Sequence, residues 1–333
     1  MGSARHRSWS HTRQSTYDGC PRALYYAYFP WGDEDQNLAR FLKRAATPES
    51  VAGTIVHRRI ALGLRQLVKH GTYPTGMDKD GVAQYDEILR ISKHIAERVR
   101  DGKCPPDDGT CFFHHLYGAE DPVAEQRGRD TIVKSLTMFE TSTAMDFLKT
   151  TNFDRWKRIL NDSDDVPSFY ASAELGFESA HGLRVYAAYD LAFLHDGEFH
   201  IIDWKTGSKS GRSISASRRQ LATYGLWALS QHHPFGKIRV QAFYLQDGEP
   251  WDPTPLGADD VKSVIRQIED QDAAEREATS SVVNRDGEII RYEADYNAFP
   301  PKPDLVGCGW CPYRVLCPEG RETVSGPIPA SAL

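Results

Sequence analysis

Apolar residues recur at helical spacing through the first half of the chain and at strand spacing through much of the second. Val56, Ile60, Leu64 and Leu67 form one stripe over residues 55–69, and Ile88, Ile91, Ile95 and Val99 repeat it over 86–100. Residues 131–149 and 154–160 also read as helical, so the pattern predicts a largely helical block over 55–165. An earlier short helix, rich in aromatics (Tyr17, Tyr25, Tyr26, Tyr28, Phe29), is predicted over 15–30. Residues 101–122 read as a Pro/Gly/Asp loop, and Asn161 to Pro167 as a breaker. Strands follow at Ser172 to Glu178, Arg184 to Leu194 and Phe199 to Trp204, as a meander. A helix over 217–229 and a strand over 238–245 come next. A charged helix over 258–278 then keeps Val261, Val264, Ile265 and Ile268 inward. A late hairpin joins Val282-Val283 to Ile289-Ile290 through Asn284 to Gly287, and residues 326–333 read as a flexible tail. The expected fold is one α/β domain over 1–325, with a sheet core at 168–250 and a closing helix and cysteine segment at 258–320.

Within the meander, Asp196-Gly197 is a two-residue hairpin turn. It pairs residues whose numbers sum to 393, which sets Asp190 opposite Asp203. Directly opposed residues share a face, with Cβ atoms roughly 4.5–5.5 Å apart, and like charges placed so are destabilising. Lys205, two residues beyond Asp203, joins the same face. Two carboxylates held this close suggest a cation between them, and an all-oxygen set suits Mg²⁺ or Mn²⁺. The alternative is a solvated hairpin face carrying three exposed charges. Three further candidates surround the hairpin. His57 lies beside the apolar stripe of the first long helix, where a core histidine is the competing reading. Gln220 and Tyr224 are four residues apart on one helix face. Glu174, on the preceding strand, offers another carboxylate or a solvent-facing acid.

Composition narrows the setting. The chain has 333 residues and a net charge of −6, with a mean hydropathy of −0.53. No apolar run approaches the roughly 18 residues of a membrane helix, and no signal-peptide core follows the basic N-terminus, so a cytoplasmic location is expected. Net charge alone does not point to nucleic acid. Residues 204–219, however, hold Lys205, Lys209, Arg212, Arg218 and Arg219 without an acid, which would suit a polyanion beside the carboxylates. Of six cysteines, Cys308, Cys311 and Cys317 form a tight C-x2-C-x5-C cluster in an irregular Pro/Gly-rich segment. Three thiolates need a fourth ligand for a zinc site or a cubane, and Cys20 is the best candidate. Cys104 and Cys111 have no ligand-like spacing. No G-x-x-x-x-G-K-[ST] motif occurs, so these residues carry no P-loop motor.

Cys20-Pro21-Arg22, Gly53 to His57, Asp190, Asp203-Trp204-Lys205, Gln220 to Tyr224 and Cys308/Cys311/Cys317 occur in that order. The series resembles the RecB-type nucleases of the PD-(D/E)XK superfamily that carry an iron–sulfur cluster. That group includes the nuclease domain of AddB and CRISPR adaptation nucleases. The resemblance spans roughly residues 15–320. It implies a restriction-endonuclease-like mixed sheet flanked by helices, with a large helical insertion. It also implies a structural 4Fe–4S cluster on Cys20, Cys308, Cys311 and Cys317. His57, Asp190, Asp203 and the Trp204 carbonyl would hold Mg²⁺ or Mn²⁺. Lys205 would act on the attacking water, Gln220 and Tyr224 would contact the phosphate backbone or the scissile nucleotide, and Glu174 would add a carboxylate. The implied activity is phosphodiester hydrolysis in DNA, single-stranded or at ends, with a separate helicase supplying single strands. Repair, CRISPR adaptation and phage defence are the implied settings. The chain departs from the family at Ala188, where glycine is usual, and in the length of its helical block.

Overall fold

In a computed structural model of the chain, residues 7–29, 36–101, 103, 109–119, 121–151, 158–159 and 166–324 are described. The helices are α1 (His11–Gly19), α2 (Pro21–Tyr28), α3 (Gln36–Leu42), α4 (Pro48–His70), α5 (Met77–Arg100), α6 (Phe113–Leu116), α7 (Pro122–Glu140), α8 (Thr143–Thr150), α9 (Gly211–Ser230), α10 (Ala258–Glu277), α11 (Leu305–Gly309) and α12 (Pro318–Thr323). The strands are β1 (Ser8–Trp9), β2 (Ala45–Ala46), β3 (Cys111–Phe112), β4 (Arg158–Ile159), β5 (Ser168–Tyr170), β6 (Arg184–Tyr186), β7 (Leu191–His195), β8 (Glu198–Lys205), β9 (Ile238–Tyr244), β10 (Thr254–Pro255), β11 (Thr279–Val283) and β12 (Ile289–Ala294).

Caps, more than apolar stripes, fix where α4 and α9 begin. Thr47 and Ser50 form a reciprocal capping box with Pro48 in the first turn, so α4 starts seven residues before the predicted 55. Ser210 and Ser213 do the same for α9, which starts at Gly211 rather than 217. The predicted helix over 15–30 is two helices. Cys20 is extended, with φ −159°, and it closes α1 and opens α2.

The central sheet has the order β10-β9-β8-β7-β4. β7 and β8 are antiparallel, whereas β8 and β9 are parallel and joined by α9 as the crossover. The hairpin turn is as predicted, with Asp196 at φ 48° and Gly197 at φ 78°. The register is also as predicted: Leu191 pairs with Ile202 and His195 with Glu198. β8 is buried on both faces. Phe199 and Ile201 pack with Leu221 and Leu226 of α9 and Val264 and Ile268 of α10. Ile202 and Trp204 pack with Ile55 and Ile60 of α4 and Leu136 and Phe139 of α7. This two-sided burial makes the strand's alternation hydrophobic on both sides until Asp203 and Lys205 interrupt it. A third core joins Tyr25, Tyr26, Phe41, Phe299, Tyr313 and Cys317, which come from opposite ends of the sequence.

Several expectations are corrected. Ser172 to Glu178 is not a strand. Residues Ala173–Leu175 form a 3-10 turn that Gly176 closes at φ 88°. The N–H groups of Glu178 and Ser179 bond Glu269 Oε1 at 2.6 and 2.7 Å, so a side chain satisfies backbone that a ladder would have paired. Arg184 to Leu194 is not one strand either; β6 and β7 belong to different sheets. Residues 158–159 are strand β4, not helix, and the remainder of 154–160 lies outside the described residues, as do residues 161–165 and 326–333. The predicted loop over 101–122 contains β3 and α6. The architecture is mixed α/β, as expected.

Candidate active site

Beyond Leu191 the hairpin ladder loses its simple pairing. Asp190 N–H donates to Ile202 O at 3.2 Å, and Asp190 Oδ2 accepts the Trp204 N–H at 2.8 Å. The side chain thus does the work of a strand carbonyl, which fixes one carboxylate at the end of the paired region. Its other oxygen, Oδ1, meets His57 Nδ1 at 2.8 Å. His57 reaches there from α4, one turn beyond Gly53. A Cβ on Gly53 would lie 3.2 Å from Thr206 Oγ1, so glycine lets the helix approach the end of β8 closely.

Asp203 and Lys205 lie on the α9 side of β8. Lys205 Nζ is 2.7 Å from Asp203 Oδ2 and donates to Gln220 Oε1 at 2.6 Å. Gln220 Nε2 in turn donates to the Tyr224 hydroxyl. The single Tyr224 proton goes to Ala188 O at 2.7 Å, with Asp203 Oδ1 further off at 3.2 Å. A continuous chain of hydrogen bonds therefore runs from the loop before β7, across α9, to Lys205 and Asp203. Tyr224 is buried, with 3% of its surface exposed. Its bonds and those of Gln220 are to the protein's own acids, Lys205 and Ala188. These bonds tie the pair to Lys205, Asp203 and Ala188, with Gln220 half-buried and Tyr224 buried.

Charge is strongly coupled here. Burial and the nearby Asp190 carboxylate hold the Asp203 carboxyl above its ordinary range, against the pull of Lys205 and His57. Burial would lower the His57 pKa, but Asp190, by charge and by hydrogen bond, outweighs it and the net shift is upward. Burial, with the charges of Asp203 and Asp190, lifts the Tyr224 phenol well above its usual value. Two buried carboxylates and an imidazole form a hard N/O donor set that fits a divalent ion.

Trp204 packs its indole against Phe139 and Phe243, at centroid distances of 5.1 and 5.7 Å. Glu174 is not brought in: it is exposed on the 3-10 turn and takes no part in these hydrogen bonds. The basic run after Trp204 is largely neutralised, because Lys209 pairs with Glu249 and Arg218 with Asp260. The sequence reading missed His11. Burial and the charges of Lys205 and Arg219 lower its pKa. A lone histidine at the start of a short helix carries no sequence signal that would have found it.

Cys20, Cys308, Cys311 and Cys317 line one cavity of about 210 Å³, together with Arg22 and Tyr26. Burial, followed by the charges of Cys20, Cys308 and Cys317, pushes the Cys311 thiol up to about 12. Arg22 is buried, donates from Nε to Phe299 O at 2.7 Å, and leaves Nη1 without a hydrogen-bond partner. Cys111 is buried elsewhere, its thiol facing Ser92 O at 3.6 Å. Cys104 lies outside the described residues.

An α-helix-flanked mixed sheet, with two acids and a lysine gathered where its central strand ends, defines the class of a metal-dependent nuclease fold. The family model of the PD-(D/E)XK nuclease superfamily matches residues 8–318, and the chain belongs to that superfamily. No curated protein matches the sequence. Membership supports divalent-metal nuclease chemistry and nucleic acid as the binding partner. No helix among the described residues is long and apolar enough to cross a membrane.

Proposed function

We propose that the chain is a Mg²⁺- or Mn²⁺-dependent deoxyribonuclease that hydrolyses phosphodiester bonds in single-stranded DNA or at DNA ends. The observation that carries this reading is the convergence of His57, Asp190, Asp203 and Lys205 where β7 begins and β8 ends. Asp190, Asp203, His57 and the Trp204 carbonyl would hold the ion. The bound ion supplies Lewis acidity and lowers the pKa of its water. Lys205, released from Asp203 once a cation shares that carboxylate, orients the attacking water or offsets charge on the phosphate. Gln220 keeps the ammonium in place, and Tyr224 ties that arrangement to Ala188. Incubating the protein with 5′- and 3′-labelled single- and double-stranded DNA, and with RNA, in Mg²⁺ or Mn²⁺ tests activity, polarity and substrate together. Absence of cleavage with every substrate and metal would sink the reading.

The same proposal gives Cys20, Cys308, Cys311 and Cys317 a structural 4Fe–4S cluster. Four thiolates around a cubane are net anionic, and the buried cation Arg22, which lines the same cavity, suits such a group. Iron and sulfide contents near four per chain, with broad absorbance near 400 nm, are the expected result. Zinc in place of iron would replace the cluster with a tetrahedral zinc site. A separate helicase, and a role in repair, CRISPR adaptation or phage defence, complete the proposal.

A further inference from the structure

Within the helical block, outside both sites above, three buried side chains turn toward one point. His114 and His115 come from α6, and Glu125 from the first turn of α7. Their donor atoms all lie within 4.8 Å of one another. His114 Nε2 is 3.4 Å and His115 Nε2 3.1 Å from Glu125 Oε1. All three residues are less than a tenth exposed.

Consecutive residues of a helix point about 100° apart, so two adjacent histidines seldom share a target. The four-residue α6 turns both rings onto one carboxylate, with their centroids 4.2 Å apart. Metal–ligand bonds of about 2.0–2.2 Å place neighbouring ligands of a tetrahedral zinc roughly 3.3–3.4 Å apart, close to both nitrogen–oxygen spacings. The outer contacts fit as well. Ser92 Oγ bonds His115 Nδ1 at 2.7 Å and also receives the Phe112 N–H at 2.6 Å. That contact leaves Nε2 as the inward nitrogen, which is how outer partners orient ligating histidines. The competing cation is Lys93, whose Nζ is 3.7 Å from Glu125 Oε1 on a half-exposed side chain that has solvent to retreat into.

We propose that His114, His115 and Glu125 form a zinc site. Two imidazoles and one carboxylate are a borderline donor set, and burial of all three favours a low coordination number over an octahedral ion that needs three waters. The ion would fasten α6 to α7. α6 also braces the cysteine segment, because Phe113 stacks on Trp310 at 6.2 Å and Tyr117, just past its end, donates to Pro312 O at 3.2 Å.

The test uses the full chain carrying Asp190→Ala, which disables the hairpin site as a second home for zinc. After dialysis against micromolar zinc, elemental analysis should find about one zinc per chain beyond any metal on the cysteines. Adding Glu125→Gln should cut that zinc tenfold or more. Equal zinc contents overturn the proposal, and zinc-free protein shows a hydrogen-bonded trio only, which overturns it too. Zinc-edge X-ray absorption on the Asp190→Ala protein decides the matter even if Glu125→Gln does not fold. A nitrogen/oxygen shell at about 2.0–2.2 Å with imidazole scattering is expected, whereas a sulfur-only shell near 2.3 Å puts the zinc on the cysteines.

Discussion

The hairpin site and the cysteine pocket are assembled in opposite ways. Asp190, Asp203, Lys205, Gln220 and Tyr224 fall within 35 consecutive residues, and only His57 comes from far away. Every acid there already has a partner in the protein: Asp190 has His57 and the Trp204 N–H, and Asp203 has Lys205. Cys20 and Cys308 are 288 residues apart, and the cysteine pocket instead gathers four thiols and the buried Arg22 from both ends of the sequence around one cavity. The first arrangement folds without its ion, and local hydrogen bonding preorganises it. On the proposed reading, a group bound at the second offsets loop closure, a cost that grows only slowly with loop length. Metal at the hairpin should therefore be exchangeable, and metal at the cysteines should be part of the fold.

The sharpest way to break this contrast is a pair of substitutions with opposite consequences. Asp203→Ala should lower cleavage by about a thousandfold or more, the scale of several kcal/mol of transition-state stabilisation from a positioned ion. It should leave iron content and protease resistance unchanged. Cys20→Ser should lose the iron and become protease-sensitive at both ends, because α1, α2 and the C-terminal segment share one core. If Cys20→Ser kept its iron, or Asp203→Ala lost it, the two regions would not be independent. Cys111→Ser should keep the iron, since its thiol faces Ser92 instead.

The next effects concern the positioning residues. Tyr224→Phe removes the hydrogen bond to Ala188 and the acceptor for Gln220. We expect turnover to fall roughly 10- to 100-fold with KM nearly unchanged, since the residue is buried and acts through others. A rise in KM with unchanged turnover would instead mark a substrate contact. Glu174→Ala should leave cleavage within about twofold of wild type, as its exposed position on the 3-10 turn implies.

These contrasts also explain what could be read from the sequence. The hairpin was legible because Asp196-Gly197 fixes the register and alternation then fixes the face of Asp203 and Lys205. Asp190 sits where the ladder departs from that rule, so its bond to the Trp204 N–H could not be counted out from the turn. The strand expected at Ser172 to Glu178 failed because its satisfaction comes from Glu269, 91 residues away from Glu178. The basic run looked free for the same reason: Glu249 and Asp260, which neutralise Lys209 and Arg218, are tertiary neighbours. The positions of the cysteines were visible as spacing, whereas the placement of Arg22 beside them emerges only when both chain ends are folded together.

Acidity gives a subtler test of the hairpin. An ion at this site must displace the proton of His57, whose pKa is raised, and any proton on Asp203, whose pKa is raised as well. Metal affinity should therefore weaken as pH falls and should still be climbing above pH 6.5, the ordinary value for histidine. Titration calorimetry with Mn²⁺ between pH 6 and pH 8.5 measures it. His57→Asn should flatten the profile in the upper part of that range, and an unchanged slope would remove His57 from the ligand set.

The smallest effect is one of stability in the absence of metal. Burial and Asp190 raise the Asp203 pKa above its unfolded value, so the native state favours the protonated form. The stability associated with that group is fully present below the unfolded pKa and is lost as pH rises through the raised folded value. An amide at this position has no proton to lose. Metal-free Asp203→Asn should thus melt at the same temperature as wild type at low pH and a few degrees higher at pH 8, where wild type holds an ionised, buried carboxylate beside Asp190. Saturating Mn²⁺ should reverse the order, because only the wild-type carboxylate gains a cation. Melting curves at two pH values, with and without Mn²⁺, test the claim that this site keeps its acids close at a cost that only a metal removes. If the wild type were the more stable protein in metal-free buffer at pH 8, the Lys205 pairing would outweigh that cost, and the acid pair would not by itself call for an ion.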